Sequence, residues 1–230
     1  MIKSLQTGTE PNYNFLNNSV QYPAIVRFFA YLFSYLFHPL FIPLYATYYL
    51  VFIHPDYFSG ISDKGKLWIL LRVAYNMVFF PMVSVLLLKG VGFINSIFLK
   101  TQKERIIPYI ISNIFFFWMY LVFHNQSEVS TVLTSFVFGV FISSSVALIV
   151  NIYFKISMHA IGVGGLLALM LIILFTNTSS PVTLPFVVTL LIAGMVCTSR
   201  MIVSNHTQKD IYGGLLCGIF CQIIGAWFIL

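Results

Sequence analysis

Four polar residues near the carboxyl end of the chain have the types and the spacing needed for chemistry on an anion. Ser199 and Arg200 are followed by His206 and, one helical turn later, by Asp210. Residues four apart share one face of a helix, so the Asp210 carboxylate can hold the His206 imidazole in one tautomer. The other ring nitrogen is then available as an acceptor or a nucleophile, and the planar fork of Arg200 suits a phosphate or a carboxylate. A charge cluster that only caps two membrane helices is the open alternative.

Ser157 and His159 form a second polar group, at the junction of two apolar runs. Ser157 is expected to cap the next helix, whose N-terminal N–H groups would attract a phosphate. His159 is either an interfacial histidine with no special role or, if it faces His206, a candidate general acid.

A basic segment, residues 100–109, contains Lys103 and Arg105 shortly before Pro108. Pro108 is expected just inside the following helix, where its missing N–H costs little. Lys103 and Arg105 allow two interpretations. They clamp an anion, or they form a charge patch that only orients the chain in the membrane.

The composition of the chain indicates the class of protein that must position these groups. Its 230 residues are 59% hydrophobic and only 8% charged, with a formal net charge of +6, whereas soluble domains carry about a quarter charged residues. We therefore expect an integral membrane protein. The basic residues lie mainly at the ends of apolar runs, which fits anionic lipid headgroups better than nucleic acid. The three cysteines have neither a disulfide framework nor a metal-ligand spacing, and no metal or other cofactor is expected.

Seven apolar runs predict an all-α, polytopic membrane bundle with about six or seven transmembrane helices. Residues 1–23 form a polar N-terminal segment, and residues 24–230 form a single transmembrane domain. His38-Pro39 and Pro43 interrupt the first run and predict a kink there. The runs, each about long enough to cross a bilayer, lie near residues 25–53, 67–90, 107–124, 129–153, 158–176, 184–203 and 211–230.

The order of the runs predicts that the polar segments meet. The connections after the second, fourth and sixth runs must lie on the same side of the bilayer, and they hold residues 100–108, 155–159 and 200–210. Convergence of these three polar connections on one face favours a site over three unrelated helix caps.

The carboxyl-terminal polar segment resembles the third motif of the type 2 phosphatidic acid phosphatase superfamily, the membrane histidine phosphatases related to the vanadium haloperoxidases. That motif, S-R-x(5)-H-x(3)-D, is matched without a gap by Ser199, Arg200, His206 and Asp210. The small-residue pair Gly213-Gly214 that follows is also similar to the family pattern.

The other two family motifs are matched in part. The second, P-S-G-H, is represented by I-S-M-H, which keeps Ser157 and His159 but lacks the proline and the glycine. The first, K-x(6)-R-P, is represented by Arg105 alone, because Phe98 occupies the lysine position and two isoleucines separate Arg105 from Pro108.

The resemblance implies a metal-independent reaction through a phosphohistidine. His206 would attack phosphorus, Asp210 would hold its imidazole, and His159 would protonate the leaving oxygen. The groups that would bind the phosphoryl oxygens are Arg200, Arg105, Lys103 and the backbone near Ser157.

The function that the resemblance implies is hydrolysis of a lipid phosphate or diphosphate at the membrane surface. The compactness of the chain favours a bacterial inner (cell) membrane as its location. Isoprenoid diphosphates such as undecaprenyl diphosphate, phosphatidic acid and phosphatidylglycerol phosphate all stay open as substrates. The expected partners are this substrate and the membrane lipids, without nucleic acid. Phosphotransfer to another acceptor on the same scaffold, and a non-catalytic small transporter or scaffold protein, are the alternatives.

Overall fold

Helices account for nearly all of the chain that the computed structural model describes, which is residues 22–54, 56–97, 99, 101–176, 181–204 and 206–230. No strand occurs within these ranges. The predicted polar segment 1–23 lies outside them except for its last two residues. The helices are α1 Ala24–Leu36, α2 Ile42–Ile53, α3 Asp63–Gly90, α4 Gln102–His124, α5 Thr131–Tyr153, α6 Met158–Thr176, α7 Thr183–Val203 and α8 Gln208–Ile229.

Six of the described helices, α3 to α8, are long and apolar enough to cross a membrane. The prediction of an all-α bundle with six or seven spans is therefore confirmed. The first predicted run, 25–53, is not one helix but the two shorter helices α1 and α2. The break falls at His38-Pro39, because proline disfavours helical geometry in the residue before it and provides no N–H for the helical ladder.

Polar caps start α3 and α4 earlier than the apolar pattern predicted. The Ser62 hydroxyl accepts the Gly65 N–H at 3.3 Å and begins α3. At α4, Thr101 and Glu104 form a reciprocal capping box, in which each side chain accepts the backbone N–H of the other. The expectation that Pro108 lies just inside this helix is wrong, because the box begins the helix at Gln102 and leaves Pro108 in the helix interior.

Glycines allow α8 to approach α6 and α5 at backbone distance. A Cβ on Gly214 would lie 2.8 Å from the Ser157 carbonyl oxygen, and one on Gly218 would lie 2.9 Å from the Gly165 nitrogen. On the α5 side, a Cβ on Gly225 would lie 2.8 Å from the Gly139 nitrogen. Gly214 and Gly218 therefore allow close helix packing. They also bring together the helices that carry the polar motifs.

The first two helices lie against this core at the end where the polar connections meet. Helix α1 packs along α7 and buries Ala30 and Ser34, and α2 contacts α6 and α3. At the turn between α1 and α2, Pro39 and Ile42 lie against Gly162 of α6. A Cβ on Gly162 would be 3.5 Å from Pro39 Cα and 3.3 Å from Ile42 Cγ1.

Candidate functional site

Hydrogen bonds join the three polar connections at one end of the bundle. The Ser157 N–H, before α6, donates to the Asp210 carbonyl in the first turn of α8 at 3.2 Å. The Asn151 side chain, near the end of α5, donates to the Gln102 carbonyl at the start of α4 at 2.9 Å. The predicted convergence of the polar segments on one face is therefore confirmed.

The Asp210 carboxylate contacts both its own helix terminus and His206. Thr207 and Asp210 form a capping box for α8, in which Asp210 Oδ2 accepts the Thr207 N–H at 2.8 Å. The same oxygen lies 3.6 Å from His206 Nδ1, which is close for an electrostatic contact but longer than a hydrogen bond. The sequence signal for this cap is a threonine followed three residues later by an acidic residue.

His206 is buried among positive charges. Its side chain is 7% exposed. Burial lowers the pKa of His206 to about 4, helped by the nearby charges of Arg200, Lys155 and Arg105 and opposed by Asp210. The imidazole is therefore neutral at pH 7, and one of its nitrogens carries a lone pair, as a nucleophile requires.

Arg200 lies in the last turn of α7, half-buried, and its Nε has no hydrogen-bond partner among the described residues. The preceding residue of the motif, Ser199, is buried and donates its hydroxyl to the Met195 carbonyl at 2.7 Å. The motif serine is thus part of the helix, whereas the arginine provides a buried donor without a partner.

Ser157 and His159 reach the site from the start of α6. The expectation that Ser157 caps this helix is wrong, because its fully buried hydroxyl makes no hydrogen bond within the described part of the chain. Its N–H donates to the Asp210 carbonyl, which ties this turn to α8. His159 is half-buried, and its Nε2 lies 3.1 Å from the Ser34 carbonyl oxygen. A carbonyl only accepts, so Nε2 carries a proton and Nδ1 is the other ring position for proton exchange.

Arg105 and Lys103 differ in where the structure places them. Arg105 is half-buried, its Nε–H donates to the Leu99 carbonyl at 2.9 Å, and its charge acts on His206. Lys103 is exposed and makes no hydrogen bond or ion pair with the described residues. The structure therefore brings Arg105 to the cluster and leaves Lys103 at the surface.

A third histidine, outside the predicted site residues, belongs to the same cluster. The His38 and His159 rings meet edge to face, with centroids 5.3 Å apart and an angle of 84° between the ring planes. The signal in the sequence is the His38-Pro39 pair in an otherwise apolar run, which predicts chiefly a kink.

Buried polar atoms without partners are concentrated around these residues. Within the described ranges, they include Ser34 Oγ, Tyr109 Oη, Ser157 Oγ, Arg200 Nε and His206 Nδ1. Each such atom costs about 1–3 kcal/mol if it stays unpaired, so their grouping indicates a place for a polar or charged molecule. With several positive charges and one carboxylate nearby, an anion fits this place best.

The helices define a multipass α-helical membrane protein, and a basic cluster that contains three histidines lies at one end of the bundle. Comparison with protein-family models, with curated proteins and with solved structures finds no match. Membership in the type 2 phosphatidic acid phosphatase superfamily thus stays a prediction from the motif residues.

Proposed function

We propose that this protein is a phosphatase of the type 2 phosphatidic acid phosphatase superfamily that hydrolyses a lipid phosphate or diphosphate through a phosphohistidine on His206. One observation carries the proposal. Arg105, His159 and His206 come from three separate motifs, and they lie in one basic cluster that contains unpaired buried polar atoms.

The first step places the nucleophile and the leaving group on opposite sides of phosphorus. With Nδ1–H directed towards Asp210, the lone pair of neutral His206 is on Nε2, which attacks phosphorus while the bond to the leaving oxygen breaks. His159, whose Nε2–H is held by the Ser34 carbonyl, supplies the proton to that oxygen from Nδ1. The negative charge of the bound phosphate offsets the cost of charging His159 beside Arg200.

The second step returns His206 to its starting state. Water attacks the phosphohistidine, the N–P bond breaks, and His159, now neutral, takes a proton from the attacking water. Inorganic phosphate leaves, and both histidines regain their original protonation states.

Arg200 and Arg105 stabilise the charge that spreads over the phosphoryl oxygens in both steps. Arg200 has an unpaired buried Nε, and Arg105 is held in place by the Leu99 carbonyl. Loss of one donor of this kind typically costs about 10²–10³ in turnover. A lysine cannot reproduce the planar fork, so the two arginines are not interchangeable with lysine.

A lipid substrate suits a site in this position. The cluster lies where α6 and α8 begin and α7 ends, which is one end of the membrane-spanning bundle. Helix α1, beside α7, exposes aromatic side chains, including Phe28, Tyr31 and Tyr35. A lipid can place its headgroup in the basic cluster while its tail stays beside the apolar helices. Isoprenoid diphosphates such as undecaprenyl diphosphate, phosphatidic acid and phosphatidylglycerol phosphate all meet this requirement.

Phosphate release by purified protein tests the proposal. The substrates are the three lipid classes in detergent micelles, with His206→Ala as the inactive variant and His124→Ala, an exposed position at the far end of α4, as the control. We expect release by wild type and His124→Ala, insensitivity to chelators and inhibition by orthovanadate. Release that continues in His206→Ala, or that requires an added divalent ion, would refute the mechanism. Transfer of phosphate to an added alcohol in place of release would identify a phosphotransferase.

A further inference from the structure

The turn between α1 and α2 lies on the same face of α6 as His159. Pro39 and Ile42 contact Gly162, which follows His159 by three residues and therefore shares its face. The Ser34 carbonyl holds His159 Nε2 at 3.1 Å. The first two helices thus contribute directly to the surroundings of the proposed acid, through a segment that none of the three motifs includes.

Hydrogen bonding determines which nitrogen of His38 is free. The Leu40 N–H lies 3.4 Å from His38 Nδ1, which must therefore accept and carry the lone pair. The proton of the neutral ring is then on Nε2. His38 makes no other side-chain hydrogen bond within the described part of the chain, so the Nε2–H remains available to a ligand.

The electrostatic surroundings keep His38 uncharged. Burial lowers the pKa of His38 to about 4, and the positive charge of Arg200 contributes to the decrease. A neutral N–H donor is suited to this position, because it adds a hydrogen bond for an anion without adding repulsion to a cluster that already contains Arg200 and Arg105.

We infer that His38 is a further substrate-binding residue, whose Nε2–H donates a hydrogen bond to the phosphoryl group held between Arg200 and His159. This inference rests on the proposed phosphatase function and adds to it a third histidine from outside the motifs. The competing role is purely steric, in which the edge of the His38 ring only supports the His159 ring at the observed 5.3 Å.

Three substitutions at His38 separate the two roles. His38→Gln keeps a side-chain N–H donor at a similar reach, and His38→Met has a similar size and shape without the donor. His38→Phe keeps a ring against His159 but also lacks the donor. His124→Phe is the control, because this histidine is exposed and lies at the end of α4 away from the cluster, where its ring packs on Tyr120.

Turnover of a lipid phosphate and inhibition by orthovanadate are measured for each variant that purifies as folded, monodisperse protein. If His38 donates to the phosphoryl group, we expect His38→Met and His38→Phe to lower kcat by about 10²-fold and to weaken orthovanadate inhibition about tenfold or more. His38→Gln should recover a substantial part of both losses, and His124→Phe should match the wild type. The Gln and Met pair suffices if the Phe variant does not fold.

The possible failures are distinguishable. Wild-type turnover in His38→Met would overturn the inference. Equal losses in the Gln and Met variants would also overturn it, because they would show that His38 only supports the His159 ring. In either case the proposed function stands if His206→Ala is inactive. If the wild type neither hydrolyses a lipid phosphate nor binds orthovanadate, the proposed function fails, and the inference fails with it.

Discussion

Two adjacent glycines in α8 allow one perturbation to be tested against an almost identical control. Gly214 is buried, and a Cβ there would lie 2.8 Å from the Ser157 carbonyl oxygen and 3.2 Å from Ala160 Cβ. Gly213 is exposed, and a Cβ there would have no neighbour within 4 Å. Alanine at either position gains the same helix propensity, about 0.5–1 kcal/mol. The difference between the two variants therefore isolates the contact between α8 and α6.

The size of the effect follows from this geometry. The Ser157 carbonyl belongs to the backbone and cannot rotate away, so α8 and the start of α6 must separate by about half an ångström or more to reach an ordinary contact. Such overpacking typically costs about 1–3 kcal/mol. It also strains the nearby hydrogen bond from the Ser157 N–H to the Asp210 carbonyl, which joins the segments that contain His159 and His206. A misplacement of about 1 Å can lower turnover about 10²-fold, so we expect a loss of about tenfold to a hundredfold.

The assay combines thermal unfolding in detergent with phosphate release per folded molecule. We expect Gly214→Ala to unfold at a lower temperature and to turn over more slowly, whereas Gly213→Ala should equal or slightly exceed the stability of the wild type with unchanged turnover. Equal melting temperatures and equal turnover in the two variants would refute the close contact between α8 and α6. Loss of stability with full turnover would refute the link between this contact and the site.

Three further predictions concern the charged groups. Arg105→Lys should restore only part of the turnover lost in Arg105→Ala, because it lacks the planar fork, and Lys103→Ala at its exposed position should change turnover little; a fully active Arg105→Lys would indicate a purely topogenic segment. The acid limb of the pH profile of kcat/KM, which we assign to His206, should lie near pH 4. Lys155→Gln should move this limb to higher pH, because less positive charge nearby favours the protonated ring. An unchanged pH profile in Lys155→Gln would contradict the assignment to His206. Asp210→Asn should keep the helix cap and unfold at nearly the wild-type temperature, but it should turn over more slowly. Asp210→Ala should also lose about 1 kcal/mol of stability. Full activity in both variants would remove the carboxylate from the mechanism.

The sequence by itself determined the fold class, because a long apolar segment in a membrane must satisfy its own backbone hydrogen bonds and therefore forms a helix. The predicted run 158–176 has the same bounds as α6, Met158–Thr176. Helix ends set by polar caps, as at Thr101, were missed because a hydropathy pattern contains no information about which side chain accepts the first free N–H groups.

Local spacing also determined part of the site. His206 and Asp210 are four residues apart, so their proximity follows from the start of one helix, and the order of the apolar runs brought the polar connections to one face. The detailed role of Asp210 did not follow, since the same carboxylate can point to the Thr207 N–H or to His206. The structure places it 2.8 Å from the first and 3.6 Å from the second.

Only the tertiary structure decided which distant groups complete the cluster. Ser34 and His38 are more than a hundred residues before His159, and no periodicity relates them. Their contacts with His159 depend on how closely the turn between α1 and α2 packs on α6, which Gly162 allows. The position of the Ser157 backbone has the same origin, because its N–H donates to the Asp210 carbonyl on another helix. A hydrogen bond between helices depends on the positions of both backbones, and packing, not the local sequence, determines those positions.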